Sequence, residues 1–379
     1  PIGGVFDRFD VSGQPVVAAV NAKGQVAFYA SLLRNKATEG IFLAGKGKVA
    51  KVAAVGDSVS GGVLSQFARH PIPALNDSGT VAFNAALTSG QSAEGVFLAR
   101  DGEIKTIALA GTDAPGIVGG TFMGFDTPAL NNRDELVFVA QVRHGRELVQ
   151  ALYIYSAGKL RKLLAERDVY LGGGYFDQFG LPAINNRGVV ALPVTLDRGP
   201  VMGGIFVTGT RDLKLLVGAG QRAPNHEPIL RFSERIAIDD DDEIAFGAHL
   251  GIGTRPTEAV MRVGTNGLTL IASEGQDAPD GGRFAGFGPW PATGAVGKIA
   301  FVGALESGPG PVGIFEWSSG VLRRLVLSGQ PLPGGGQLPP FVLHPVTAAS
   351  ANGTVTFATL GNPDQGIGAR LYAFGPPPE

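Results

Sequence analysis

The sequence predicts an all-β fold, a seven-bladed β-propeller with four-stranded blades of about 55 residues. Three observations carry that expectation. The first is a repeat, N-x-x-G-x-V-A-F, whose copies begin at Asn21, Asn76, Asn131, Asn185, Asp239, Gly294 and Ser350, in steps of 55, 55, 54, 54, 55 and 56 residues. A period near 50 marks a propeller or a solenoid. The second is composition: Gly 58 and Pro 26 punctuate a chain that is 44% hydrophobic and only 17% charged, which suits a turn-rich β protein with an ample core. The third is the lack of any window of sustained 3.6-residue periodicity free of a Gly or Pro break. No single repeat buries a core alone, so residues 1–379 are expected to form one propeller domain.

Each repeat reads as four short strands, and the second copy shows why. A first segment, 62–75, carries Leu64 and Phe67 and ends in Pro73-Ala74-Leu75. The turn 76–79 leads into a second strand over 80–87, then a polar loop, a third strand over 95–99, the hinge Asp101-Gly102 and a fourth strand over 104–110. The first segment holds an apolar pair spaced φ-x-x-F in every copy: Phe6/Phe9, Leu64/Phe67, Phe122/Phe125, Phe176/Phe179, Ile229/Phe232, Phe284/Phe287 and Leu338/Phe341. Such a stripe is what packing between adjacent sheets requires.

The Asn of the motif is suited to bond the backbone two residues on, while its Gly accepts positive φ, so N-x-x-G predicts a tight turn between strands. Where the Gly is replaced the substitute is Asp134 or Asp242, and Asp is among the few residues that tolerate that conformation. The last repeat carries three strands, its third over 369–374, before Pro376-Pro377-Pro378. The expectation is that residues preceding Pro1 complete that blade, with a bare three-stranded blade or a strand added by a partner as the alternatives.

Composition also excludes classes of function. A net charge of −2 leaves no electrostatic footprint for nucleic acid. No apolar run reaches the length that spans a bilayer. Cysteine is absent, which removes disulfides, thiolate metal sites and cysteine nucleophiles. Pro1 opens no signal peptide, so an exported protein would already have lost its own.

At N-x-x-G-x-V-A-F followed by G-[IV]-F-L, best seen in 21–28 with 40–43 and in 76–83 with 95–98, the chain resembles the bacterial tandem-repeat proteins named for an NxxGxxAF motif. More distantly it is similar to the TolB-type propeller repeat. These resemblances imply a periplasmic or secreted bacterial propeller, and they carry over no catalytic residue because the shared motif serves folding.

Chemistry-bearing motifs are sparse. There is no G-x-S-x-G, H-E-x-x-H or G-x-x-x-x-G-K-[ST], so no cofactor is expected. Of the five histidines, His70 and His344 each lie six residues before the motif start and precede a Pro. The stretch from the stripe Phe to the motif is 12, 9 and 9 residues in repeats one, two and seven, against 6 or 7 elsewhere. Those three repeats are contiguous in a ring, which makes Arg69, His70 and His344 the candidate binding surface. The acidic run Asp239, Asp240, Asp241, Asp242 and Glu243 offers oxygens for Ca²⁺, but it occupies the turn position and lacks EF-hand spacing. Asp7, Asp177 and Glu306 are carboxylates available in principle to glycosidase chemistry.

The functional expectation is a non-enzymatic interaction module that docks on a larger extracytoplasmic or membrane-associated assembly, with a protein partner. The alternative is a carbohydrate-binding protein, hydrolase or lyase acting at the mouth of the propeller channel. An enzyme should break the repeat symmetry with polar residues that converge on one mouth.

Overall fold

The computed structural model describes residues 3–12, 14–208, 213–252, 255–332, 337–339, 341, 349–359 and 370–375. Among them there is no helix, and the strands form a β-propeller arrangement. Six complete sheets are present, where the repeat count leads to an expectation of seven. The described part of the seventh repeat forms a two-stranded sheet, Val355–Thr359 with Arg370–Phe374. Its neighbouring stretches, 342–348, 360–369 and 376–379, lie outside the described residues.

Blade three shows the common plan. Leu136–His144 pairs with Glu147–Ser156, which pairs with the outermost strand Lys159–Ala165. The innermost strand comes in two pieces rather than one: Gly120–Phe125 and the two-residue Ala129–Leu130 both pair with Leu136–His144. The same division recurs in blades two, four, five and six. Between the two pieces lies a short insert, whose residues differ from blade to blade.

Each sheet is covered on both faces by its neighbours, so its middle strands are buried continuously, as in Val81–Thr88. That is why the motif reads V-A-F rather than alternating. The stripe pair packs as expected in blades two to four and in the seventh repeat, with Leu64, Phe67, Phe122, Phe125, Phe176, Phe179, Leu338 and Phe341 all buried. Blade one departs: Phe6 is 36% exposed, although its ring still meets Phe9, Phe28 and Phe42.

The N-x-x-G turn takes the predicted conformation. Gly79 has φ +86°, and the substitutes Asp134 and Asp242 have φ +57° and +63°. The Asn does more than cap its own turn. Asn76 Oδ1 accepts the Ser78 and Thr80 amides, while its Nδ2 donates to the Asn131 carbonyl of the next blade at 3.0 Å. Asn21, Asn131 and Asn185 make the same forward bond, each at 2.9 Å. The residue after the Asn adds a second rung, since Asp77, Asn132, Asn186 and Asp240 each accept the corresponding amide of the preceding blade. Asn352 Nδ2 reaches the Ala22 carbonyl and Thr356 Oγ1 the Ala18 carbonyl, which joins the seventh repeat to the first blade.

A second set of fasteners crosses the seams near the inserts. A residue at or near the start of the third strand of a blade reaches over to the stripe Phe amide of the next blade. Glu39 accepts Phe67 N, Glu94 accepts Phe125 N, Gln150 accepts Phe179 N and Glu258 accepts Phe287 N. In blade six this place is Val312, and Ser328 Oγ accepts Phe341 N instead.

Candidate functional site at the channel mouth

The second pieces of the innermost strands line a central channel of about 200 Å³, walled by residues such as Val20, Leu75, Leu130, Ile184, Ile238 and Ala292. The chain runs from insert to short strand to N-x-x-G turn in each blade, so the two mouths differ. One is rimmed by the turns, with Asn21, Asp77, Asn132, Asn186 and Asp240 around it. The other is bordered by the inserts.

The turn mouth is chemically committed to the ladder. Asp239 Oδ1 caps its own turn and its Oδ2 accepts Gly297 N, while Asp240 takes both the amide and the Nδ2 of Asn186. The acidic run considered for Ca²⁺ is therefore engaged in fastening blades. Among the described residues no group of three or more His, Asp or Glu is arranged to hold a metal ion.

The insert mouth carries charge without a regular pattern. Blade two has the longest insert bounded wholly by described residues, after Phe67, and it brings Arg69 and His70 to Glu94. Arg69 Nη1 stands 3.8 Å from Glu94 Oε2, and His70 Nε2 stands 3.9 Å from Glu94 Oε1. Burial, with the adjacent Arg69 charge, holds the His70 imidazole below its ordinary pKa and so keeps it neutral at pH 7. Burial pushes the Glu94 carboxyl upward, against the pull of the Phe125 amide and Arg69. Asp126, on the next insert, is raised by burial and then by the charge of Glu234. Asn84, fully buried, donates to the carbonyls of Phe125 and Asp126 and so fixes that insert.

Across the channel, Arg235 lies over the Trp290 ring at 5.8 Å. Both residues line the channel, and Arg235 Nη1 is buried with no hydrogen-bond partner among the described residues. Burial lowers its pKa to about 10. This face thus offers a neutral imidazole, carboxyls biased towards the protonated form, two guanidinium groups and an indole. That set supports general acid–base chemistry on, or binding of, an anionic ligand with a flat apolar face.

The residues singled out from sequence are only partly brought together. Arg69 and His70 join Glu94, but His344 lies outside the described residues. Asp7, Asp177 and Glu306 stand on blades one, four and six, and Asp177 accepts from Thr195 within its own blade. Sequence reasoning missed Glu94, Asp126, Glu234, Arg235 and Trp290. For all but Glu94 the signal was present: between the stripe Phe and the short channel strand the repeats stop agreeing, reading A-R-H-P-I-P, D-T-P, G-L-P, S-E-R-I and G-P-W-P.

A family model described as "Family of unknown function (DUF7453)" matches residues 4–202, more than half of the chain, and the chain belongs to that family. No curated protein matches the sequence. Among solved structures, an oligogalacturonate lyase in complex with manganese is similar over 100% of this chain and 92% of its own, with TM-score 0.53 and 11% identity. A puromycin-hydrolyzing peptidase from Mycobacterium tuberculosis is similar over 95% of this chain, with TM-score 0.51 and 14% identity. This chain spans about half of that peptidase, 51% of its length. Likeness at such identities carries the propeller architecture. The expectation of a non-enzymatic docking module is corrected by these findings, because both of these solved structures are enzymes. The inserts are the places where the repeat is not kept, and they leave room for a site. Among the described residues, no helix is long and apolar enough to cross a membrane.

Proposed function

We propose that the protein is carbohydrate-active, binding an acidic polysaccharide at the insert mouth of the channel and cleaving it by general acid–base catalysis. The observation that carries this reading is the meeting of Arg69 and His70 at the buried carboxyl of Glu94. In elimination, a neutral base removes the proton beside a sugar carboxylate and the glycosidic C–O bond breaks. A double bond forms, and the leaving oxygen takes a proton. His70 is assigned the role of base, Arg69 that of neutralising the carboxylate, and Glu94 that of proton donor. In hydrolysis the same Glu94 would protonate the leaving oxygen while water supplies the new bond. Trp290 offers its indole face to a sugar ring and Arg235 a second anion contact. We take residues 1–379 to form one domain, with the seventh repeat as a further, partial blade.

The test is incubation of the purified protein with a panel of acidic and neutral polysaccharides. New reducing ends report either reaction, and ultraviolet absorption by an unsaturated sugar end reports elimination alone. We expect activity on acidic members, lost in His70→Ala and Glu94→Gln. Absence of cleavage and binding across the panel would overturn the reading.

A further inference from the structure

We propose a second ligand site, for a small molecule bearing one carboxylate, in the seam between blades four and five. The argument rests on a missing fastener and stands apart from the reading of the channel mouth. The seams entering blades two, three, four and six, and the seventh repeat, each place a side-chain oxygen on the stripe Phe amide. The equivalent amide in blade five is Phe232 N. Its fastening position is Gly203, which pairs with Thr195 as Glu94 pairs with Ala86 and Glu258 with His249. The fallback used in blade six fails as well, since the place of Ser328 is taken by Ala219: Ser328 N bonds the Val312 carbonyl and Ala219 N bonds the Gly203 carbonyl. No side chain among the described residues takes the Phe232 amide.

That amide faces away from its own sheet. The next amide, Ser233 N, bonds the Gly247 carbonyl of the neighbouring strand at 2.8 Å, and successive amides of an extended strand point to opposite sides. The space left by the two small residues is a cleft of about 520 Å³, within the range of small-molecule pockets. Gly203 and Ala219 line it, together with Phe179, Val194, Phe232 and Arg231. Arg231 is exposed and forms no ion pair among the described residues. Glu234 lines the same cleft, which disfavours a ligand with several negative charges.

The ligand chemistry follows from the other seams. In three of them the oxygen on the Phe amide belongs to a carboxylate, carried by Glu39, Glu94 or Glu258. A bound carboxylate would take that place, with Arg231 as its counter-charge and the apolar wall against its body. Two sources share this chemistry, a sugar acid and a non-sugar organic acid.

The experiment uses the full chain labelled with ¹⁵N at phenylalanine, the Phe232 signal being assigned from its loss in Phe232→Tyr. Glucuronate, benzoate and, as the uncharged control, glucose are titrated in turn. We expect the Phe232 signal to move saturably with a carboxylate probe and to stay still with glucose. Movement with glucuronate alone identifies a sugar-acid site, and movement with benzoate identifies a site for organic acids generally. Arg231→Ala, at an exposed position that leaves the fold intact, should weaken binding about tenfold, the loss of one charge-assisted contact. His70→Ala should leave it unchanged, which separates this site from the channel mouth. A Phe232 signal unmoved by both acids at millimolar concentration, or moved equally by glucose, would overturn the proposal.

Discussion

Asn76 Nδ2 lies 3.0 Å from the carbonyl oxygen of Asn131, and the same side chain closes its own turn through Oδ1. One amide group thus shapes a blade and fastens it to the next. Asn76→Ala should lower stability by about 2–4 kcal/mol, from several buried hydrogen bonds at roughly 1 kcal/mol each. Asn76→Asp keeps the cap but sets a carboxylate against Asp134 Oδ1, now 2.7 Å from Nδ2. Its loss should therefore shrink on acidification. Urea unfolding of both variants at neutral and acidic pH checks the pair of expectations.

Gly79→Val should cost roughly 1–3 kcal/mol, the strain of a β-branched residue at φ +86°. An added Cβ would meet only the Gln25 side chain, at 3.6 Å, so backbone conformation and not a clash sets the cost. A thermal melt of the variant decides it, and an unchanged midpoint would contradict the turn assignment.

Glu258→Ala should destabilise by about 1–2 kcal/mol, because Phe287 N loses its acceptor. Glu258→Gln should be nearly silent, since Gln150 performs the same task for Phe179. The contrast between the two variants in denaturant unfolding tests the seam fastening.

Glu94→Gln should stabilise the protein at neutral pH. Burial raises the Glu94 carboxyl pKa in the folded state, so the folded chain holds its proton more tightly than the unfolded one. Stability from this group is present below the unfolded carboxyl pKa and is lost as pH rises through the folded value. The variant's advantage should accordingly vanish in acid. Melting temperature against pH, for both proteins, gives the sign directly.

His70 should titrate below an ordinary histidine, and Arg69→Ala should move it upward by removing the adjacent positive charge. A depressed His pKa means stability falls as pH drops through the unfolded histidine range, and is unaffected above it. Imidazole proton signals followed by NMR across acidic to neutral pH report the shift in both chains.

The fold was largely legible because its cause is periodic. Asn76, Gly79 and Phe67 recur at one spacing, and the turn, the stripe and the strands follow from residue chemistry alone. The substitutions Asp134 and Asp242 even fixed the sign of φ. What the repeat hid was partnership across seams. The forward bond of Asn76 needs a neighbour 55 residues away, and nothing local distinguishes it from a cap. The site was legible only in part for a related reason. Glu94 looks like any residue opening a strand until the blade-two insert folds Arg69 and His70 over it. The division of the innermost strand, which separates insert from channel wall, has no marker in strand propensity.

The bonds from Asn352 to Ala22 and from Thr356 to Ala18 join residues more than 300 positions apart in the chain. On a ribosome working at roughly 5–20 residues per second, that separation amounts to tens of seconds. Throughout this interval the first repeat is out of the ribosome with the side that meets the seventh repeat uncovered. Premature neighbours, a second nascent chain above all, compete for that side until the intended partner is made. The molecule's most exposed moment is therefore set by translation speed, and a slower messenger lengthens it.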